Sequence, residues 1–340
     1  MEFLFSEDQE QFRENIARFL ADRSPPTEVR KLMADDQGYD PEVWSMLSNQ
    51  LGLCGIAVAE QFGGAGFGPQ ELAIACEEMG RALYCGPYLA SAVCAAYALS
   101  QTADDDHKQR WLPEIASGNL IACLAVTEHA PMWSEDDVQT VASSSPDGGH
   151  VLNGEKRFVI DAQVAGLILI AARNGENQIG LYAVEADAGG LTRKAMPSMD
   201  PTRKLNQLIL AATPAEHLGP VDLQDLMDYT LVALANEMIG GAQTLLQSAL
   251  DYTQLRVQFG RSIASFQAIK HRLAELLLEV ELAKSAAYQA AYSMSIGGDA
   301  REHASLAKAA AAEAYLHAAT ECIQLHGGIG FTWENDTHLW

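Results

Sequence analysis

The sequence predicts an α+β protein of several packed domains: an N-terminal α-helical domain (1–118), a central antiparallel β-domain (119–222) and a C-terminal α-helical bundle (223–340). Three observations carry this. Helix-start chemistry and helical apolar spacing recur through the first third. From about Leu120 the texture changes to short β-rich runs separated by Gly, Asn and Asp. After Gly219-Pro220, Asp222 opens an almost unbroken stretch rich in Ala, Leu, Glu and Gln, all good helix formers. At 340 residues the chain exceeds what one hydrophobic core usually covers, so two or three packed parts are expected.

Each element has a local cause. Ser6-Glu7-Asp8-Gln9 has the capping-box pattern, and Phe12, Ile16, Phe19 and Leu20 follow at helical spacing. Asp40-Pro41 supplies a cap and first position before Val43, Trp44 and Leu47, and Pro69 opens QELAIACEEMGRAL. A further apolar helix is expected from Ala90 to Leu99, and the glycines of EQFGGAG mark a tight loop before Pro69. In the middle third IACLAVT, VLNGEKRFVI, GLILIAAR and IGLYAVE read as strands, divided by SSSPDGGH, ARNGENQ and EADAGG. Beyond Asp222, three long helices are expected at about 223–256, 265–296 and 299–325, interrupted by FGRSIASF and SIGGDA and packing as an antiparallel bundle.

The formal charge of -23 argues against a nucleic-acid partner, which draws on clustered Lys and Arg, and against an anionic membrane surface. No apolar run reaches spanning length, and MEFLFSEDQEQF is acidic where a secretory signal is basic, so a cytoplasmic location is expected. Six cysteines without a C-x-x-C pair read as reduced, mostly buried thiols, and the nine histidines form no metal-binding spacing.

Five strings, in order, carry a resemblance: AEQFGGAG (59–66), LAVTE and LNGEKRFVIDA in the β-domain, then RVQFGRSIASFQAIKHRLAE and QLHGGIGF in the bundle. Over essentially the whole chain they resemble the acyl-CoA dehydrogenases, flavin enzymes that desaturate acyl-CoA thioesters. The resemblance implies N-terminal helices, a β-barrel-like centre, a four-helix-type bundle and dimeric or tetrameric assembly. It also implies FAD, an acyl-CoA substrate and an electron-transfer acceptor. In that chemistry a carboxylate removes the proton alpha to the thioester while the flavin accepts a hydride from the beta carbon.

By the family's motif positions, Arg256, Phe259, Gln267, Gln324 and Gly328 correspond to residues that lean across a subunit interface onto the adenosine-diphosphate half of a partner's FAD. Their chemistry suits that role, since a guanidinium pairs bidentately with phosphate, a phenyl ring offers a face, and glycine lets backbone approach closely. The alternative is a helix-ending Arg, a core Phe and a plain Gly-Gly helix end. His326 beside Gly327 is read as a cap on the preceding helix.

The flavin end departs from the family pattern. Where the family reads T-E-P-x-x-G-S-D, Thr127 and Glu128 remain, but His129, Met132 and Trp133 replace the Pro, Gly and Ser, and Ser134 falls one position late. The aromatic of W-I-T/S-N is kept as Phe158, whereas Ile160 replaces the hydroxyl residue and cannot donate a hydrogen bond. Thr127 and Phe158 remain cofactor candidates. Adjacent Glu128 and His129 point to opposite faces of a strand and make no acid–base dyad.

The family's helix-borne base falls near Tyr229 or Thr230, and its accompanying Arg near Leu231; the alternative loop position lies beyond Trp340. Asp228 is near in sequence. Glu237, two turns from Thr230, is the candidate catalytic base, against the alternative of a structural carboxylate held by hydrogen bonds. The expectation is a subunit of a heteromeric, α2β2 acyl-CoA dehydrogenase that completes the FAD site of a second acyl-CoA dehydrogenase-like subunit, acting on a steroid side-chain or other bulky acyl-CoA. Two alternatives stay open: a self-sufficient homo-oligomeric flavin enzyme using Glu237, and a non-catalytic acyl-CoA-binding or assembly protein.

Overall fold

The computed structural model of the chain describes residues 5–129, 135–145, 149–298 and 300–340. The N-terminal third holds α1 (Glu7–Arg23), α2 (Pro26–Ala34), α3 (Pro41–Asn49), α4 (Pro69–Arg81), a π-helical segment (Tyr88–Ala95), α5 (Ala96–Thr102) and α6 (Asp105–Ala116). Seven strands follow: β1 (Ala122–Ala125), β2 (Val141–Ser144), β3 (His150–Ile160), β4 (Leu167–Arg173), β5 (Ile179–Glu185), β6 (Leu191–Met196) and β7 (Leu205–Pro220). Then come α7 (Leu223–Leu255), the short strands β8 (Val257–Gln258) and β9 (Arg261–Ser262), α8 (Gln267–Ser295) and α9 (Ala300–His326). These residues form two compact units, Met1–Arg30 with Pro69–Tyr84 and Leu231–Trp340, and Lys31–Gly68 with Cys85–Thr230.

The helical unit is built on small residues. Ala235, Ala242 and Ala249 of α7, Ala283, Ala287 and Ala290 of α8, and Ala307, Ala311 and Ala318 of α9 are buried in one core, letting the helices approach closely. The Arg272–Glu321 fork at 2.6 and 2.7 Å and the Glu279–His317 contact at 2.6 Å run in opposite sequence directions along α8 and α9. The two helices are therefore antiparallel, as the bundle reading expects. α4 crosses α7 where Gly80 meets the Glu237 carbonyl and Gly240 meets the Glu77 carbonyl; a Cβ at Gly240 would lie 1.9 Å from that oxygen. Gly240→Ala is expected to destabilise the chain by about 1–3 kcal/mol, as other overpacked contacts do, seen as a lower Tm against wild type.

Beside this crossing, Glu77 and Glu78 are buried on α4 and neutralised by Arg13 at 2.7 and 3.2 Å and by Arg81 at 3.3 and 3.1 Å. Tyr288 adds a 2.6 Å hydrogen bond to Glu77. Burial holds the Glu78 carboxyl above its ordinary range. Capping follows the sequence: Ser6 and Gln9 exchange reciprocal bonds at the start of α1, and Asp40 accepts from Glu42 and Val43 at the start of α3. The expected Ala90–Leu99 helix is present as the π-helical segment passing into α5.

In the second unit the strands pair in a closed circuit, β4–β2–β3–β7–β5–β4, with β1 on β4 and β6 on β7. This is the barrel-like centre the resemblance implies. The sheet is not wholly antiparallel, however. β1 runs parallel to β4, Ala122 opposite Leu167 and Ala125 opposite Ile170. Both strands are apolar and buried along β1 and nearly all of β4, the composition of strands covered on both faces. All six cysteines are buried thiols.

Candidate functional site

At one end of the helical unit α7 stops, and the chain turns through a hairpin before α8. Val257 pairs with Ser262 and Gln258 with Arg261. Phe259 (φ 51°) and Gly260 (φ 75°) form the turn, with positive φ at both central residues, as a two-residue hairpin with right-handed strand twist requires. A phenylalanine held there has its ring thrust outward, and Phe259 is 90% exposed. That removes the core-Phe alternative.

Because α8 and α9 are antiparallel, the start of α8 and the end of α9 share this end of the unit. Tyr252 stacks on His326 at 4.2 Å, bringing the last turn of α7 there too. The structure thus gathers Arg256, Phe259, Gln267, Gln324 and Gly328 at one end, every one of them exposed. Gly327 and Gly328 have open space where a side chain would lie. The α8 N-terminus has neither a capping side chain nor an acidic residue in its first turn. His326 is a cap, its Nδ1 on the Cys322 carbonyl at 2.8 Å.

Two further residues belong here that the motif positions do not single out. The Arg261 guanidinium lies over the Phe266 ring at 4.0 Å, and Phe266 meets Phe259 edge-on at 6.1 Å. The signal for them lies in F-G-R-S, where a two-residue turn puts Arg261 opposite Gln258.

The second candidate region lies in the β-rich unit. The Arg157 N–H donates to the Thr127 carbonyl at 2.9 Å, which sets Thr127 beside Phe158. Phe158 has φ 56° and is 45% exposed, and its N–H donates to Met196 Sδ at 3.4 Å. Ile160, in register with Leu205, offers no side-chain donor. Met132, Trp133 and Ser134 lie outside the described residues.

Glu128 and His129 part company, though they lie in a bend beyond the end of β1 and not on the strand expected. Glu128 is buried and accepts from Lys156 Nζ at 2.7 Å, Thr140 Oγ1 at 2.7 Å and the N–H groups of Thr140 and Gln139, both at 2.9 Å, whereas His129 is exposed. Burial would raise the Glu128 carboxyl, but the Lys156 charge and these hydrogen bonds outweigh it and hold it below the usual range. Burial pushes the Lys156 ammonium down to about 8, against the pull of Glu128.

The expected base position is closed. Tyr229 is buried and stacked on Tyr97, centroids 3.6 Å apart and planes 4° from parallel. Thr230 donates to the Leu226 carbonyl at 2.8 Å and meets Cys94 Sγ at 3.5 Å. The neighbouring carboxylates are engaged, Asp225 by Tyr97 Oη at 2.9 Å and Asp228 by Gln224 at 2.7 Å. Burial and the Asp225 acceptor raise the Tyr97 phenol and keep it protonated. Glu237 is half-buried and partnered, its carbonyl packed on Gly80.

The two regions fit FAD unequally. The hairpin end offers exposed guanidinium groups, an aromatic face and open glycine backbone, which suit an adenosine diphosphate. At Ile160 and Tyr229–Thr230 there is no hydroxyl aimed outward and no disengaged carboxylate, and the described residues there do not fit a flavin ring with its base.

A family model for the acyl-CoA dehydrogenase N-terminal domain matches residues 6–119, and one for the acyl-CoA dehydrogenase C-terminal domain matches residues 223–340. The chain is 33% identical over 334 residues to acyl-CoA dehydrogenase IpdE2 of Mycobacterium tuberculosis, covering 98% of this chain and 90% of that protein. It therefore belongs to the acyl-CoA dehydrogenase family, oxidoreductases acting on acyl-CoA. Among solved structures it resembles a Tcur3481–Tcur3483 steroid ACAD variant, with TM-score 0.89 and 28% identity over 98% of this chain and 90% of the other. It also resembles a chain of the ChsE4–ChsE5 complex of Mycobacterium tuberculosis, with TM-score 0.91 and 25% identity over 100% and 92%.

Proposed function

We propose that this chain is one subunit of a heteromeric, α2β2 acyl-CoA dehydrogenase that introduces an α,β double bond into a steroid side-chain or other bulky acyl-CoA. Its own part is to complete the adenosine-diphosphate half of an FAD whose flavin and base belong to a second subunit of the same fold. One observation carries the reading: the residues that would face another subunit's cofactor are exposed together at one end, while the positions that would serve a flavin of this chain hold Ile160, a Tyr97–Tyr229 stack and an engaged Thr230. Two of the similar structures are of paired proteins, ChsE4–ChsE5 and Tcur3481–Tcur3483, and the second is a steroid ACAD.

When bound, FAD supplies the hydride acceptor, and electrons then pass to an electron-transfer acceptor. In the complex Arg256 would pair with a phosphate, Phe259 would offer an aromatic face, Gly328 would let the backbone approach the dinucleotide, and Gln267 and Gln324 would supply hydrogen-bonding groups beside them. Phe158 keeps the aromatic of the family's flavin strand, while Ile160 brings no hydroxyl donor to it.

Flavin content per chain tests this. The chain purified alone is expected to be colourless and to become part of a yellow complex only when co-expressed with its partner. Stoichiometric flavin on the isolated chain would favour the self-sufficient enzyme, and a colourless complex the non-catalytic binding protein. Glu237→Gln in the complex is expected to leave turnover close to wild type, because a carboxylate held as a structural partner takes no substrate proton; abolished turnover with intact flavin would make Glu237 the base.

A further inference from the structure

We propose that Arg261 is a second phosphate-binding residue, which with Arg256 forms a two-guanidinium clamp on the diphosphate of the partner subunit's dinucleotide. The inference rests on the reading that this end of the chain serves another subunit's cofactor.

Three observations lead to it. First, Gln258 and Arg261 are directly opposed in the hairpin, and the Ile263 N–H to Arg256 carbonyl bond at 2.8 Å extends the pairing by one residue. With a side-chain period of two, Arg256, Gln258 and Arg261 fall on one face of the ribbon. Arg256 and Arg261 are then diagonal neighbours, roughly 7–8 Å apart at the backbone, a separation that lets two long side chains grip adjacent phosphates.

Second, neither guanidinium has a hydrogen-bond or ion-pair partner among the described residues, although the chain carries 45 acidic residues against 22 basic ones. Elsewhere Arg13, Arg81, Arg110 and Arg272 all find carboxylates. Two like charges set side by side without an anion repel each other, so the pair is relieved by an anion from outside the chain.

Third, the Phe266 ring lies under the Arg261 guanidinium at 4.0 Å, a cation–π contact that uses none of its N–H donors. Phe266 directly precedes Gln267, so this contact keeps Arg261 at the end of the unit that carries Gln267.

The test uses the co-purified complex carrying Arg261→Gln, with Arg256→Ala alongside. FAD retention is measured by gel filtration and by titrating FAD back into the deflavinated complex over a range of salt. Arg261→Gln is expected to weaken FAD binding about 10-fold, the loss of one charge-assisted contact, and to flatten its salt dependence, which loss of a packing contact alone would not do. If Arg256→Ala loses FAD and Arg261→Gln does not, the clamp is wrong and the cross-subunit reading stands. Retention by both variants overturns the two together. Should the Gln variant fail to assemble, Arg261→Lys decides, because it keeps the charge without the planar fork: weakened retention supports the clamp and unchanged retention overturns it.

Discussion

Replacing Lys156 by methionine is expected to destabilise the chain by about 3–5 kcal/mol, the usual result of removing one partner of a buried ion pair. Lys156 is wholly buried on β3, its ammonium held by the Val126 carbonyl at 3.0 Å and by Glu128 at 2.7 Å. Without it Glu128 keeps its bonds to Thr140 and Gln139 but remains a buried charge with no countercharge. The double variant Lys156→Met with Glu128→Gln is expected to recover most of the loss, since no buried charge is then left over. Urea midpoints of the three variants measure this; a Lys156→Met loss that Glu128→Gln fails to relieve would show packing to be the cause. The same pair sets an acid limb. The folded Glu128 pKa lies below its ordinary 4.5, so as pH falls the unfolded chain takes up the proton first. The contribution is complete above about pH 4.5 and is lost as pH drops through the depressed folded value.

The helices were legible because their causes are local. Ser6, Asp40 and Pro69 mark starts by capping or by a fixed φ, and the long bundle helices lie within two residues of the expected bounds. Two helices escaped for local reasons as well. α2 begins at Pro25-Pro26, which reads as a turn, and α6 carries Pro113 in its last turns after an acidic run at Asp104. In the β-domain β1, β3, β4 and β5 were legible as apolar runs, whereas β2, β6 and β7 and the circuit they close were not. β7, which pairs with β3, β5 and β6, contains Pro214 and an Ala212 with φ 51°, so its sequence lacks a clean alternation. The parallel β1–β4 pairing depends on residues more than forty positions apart, which no local pattern encodes. At the hairpin end, motif positions pointed to Arg256 and Gln324, whereas the exposed Arg261 beside them needed the hairpin register, and the closing of Tyr229 needed Tyr97, distant in sequence.

In the assembled complex Arg256→Ala is expected to weaken FAD binding by about 10–100-fold, equivalent to about 1.5–3 kcal/mol for a hydrogen bond to a charged group, with little effect on the fold of this chain. The two halves of that expectation have one structural cause. Arg256 is exposed and has no intramolecular side-chain partner among the described residues, so its removal strands no buried charge and breaks no internal network. Its backbone bonds to Tyr252 and Ile263, which shape the hairpin, survive the substitution. Lys156 is the opposite case, a charge satisfied wholly inside the chain. A stability measurement on the isolated protein therefore separates them: Lys156→Met shifts the unfolding midpoint without any partner present, and Arg256→Ala shifts only the flavin occupancy of the complex. If Arg256→Ala leaves that occupancy unchanged at FAD concentrations near the wild-type Kd, the guanidinium meets no phosphate, and the hairpin end does not serve a partner's cofactor.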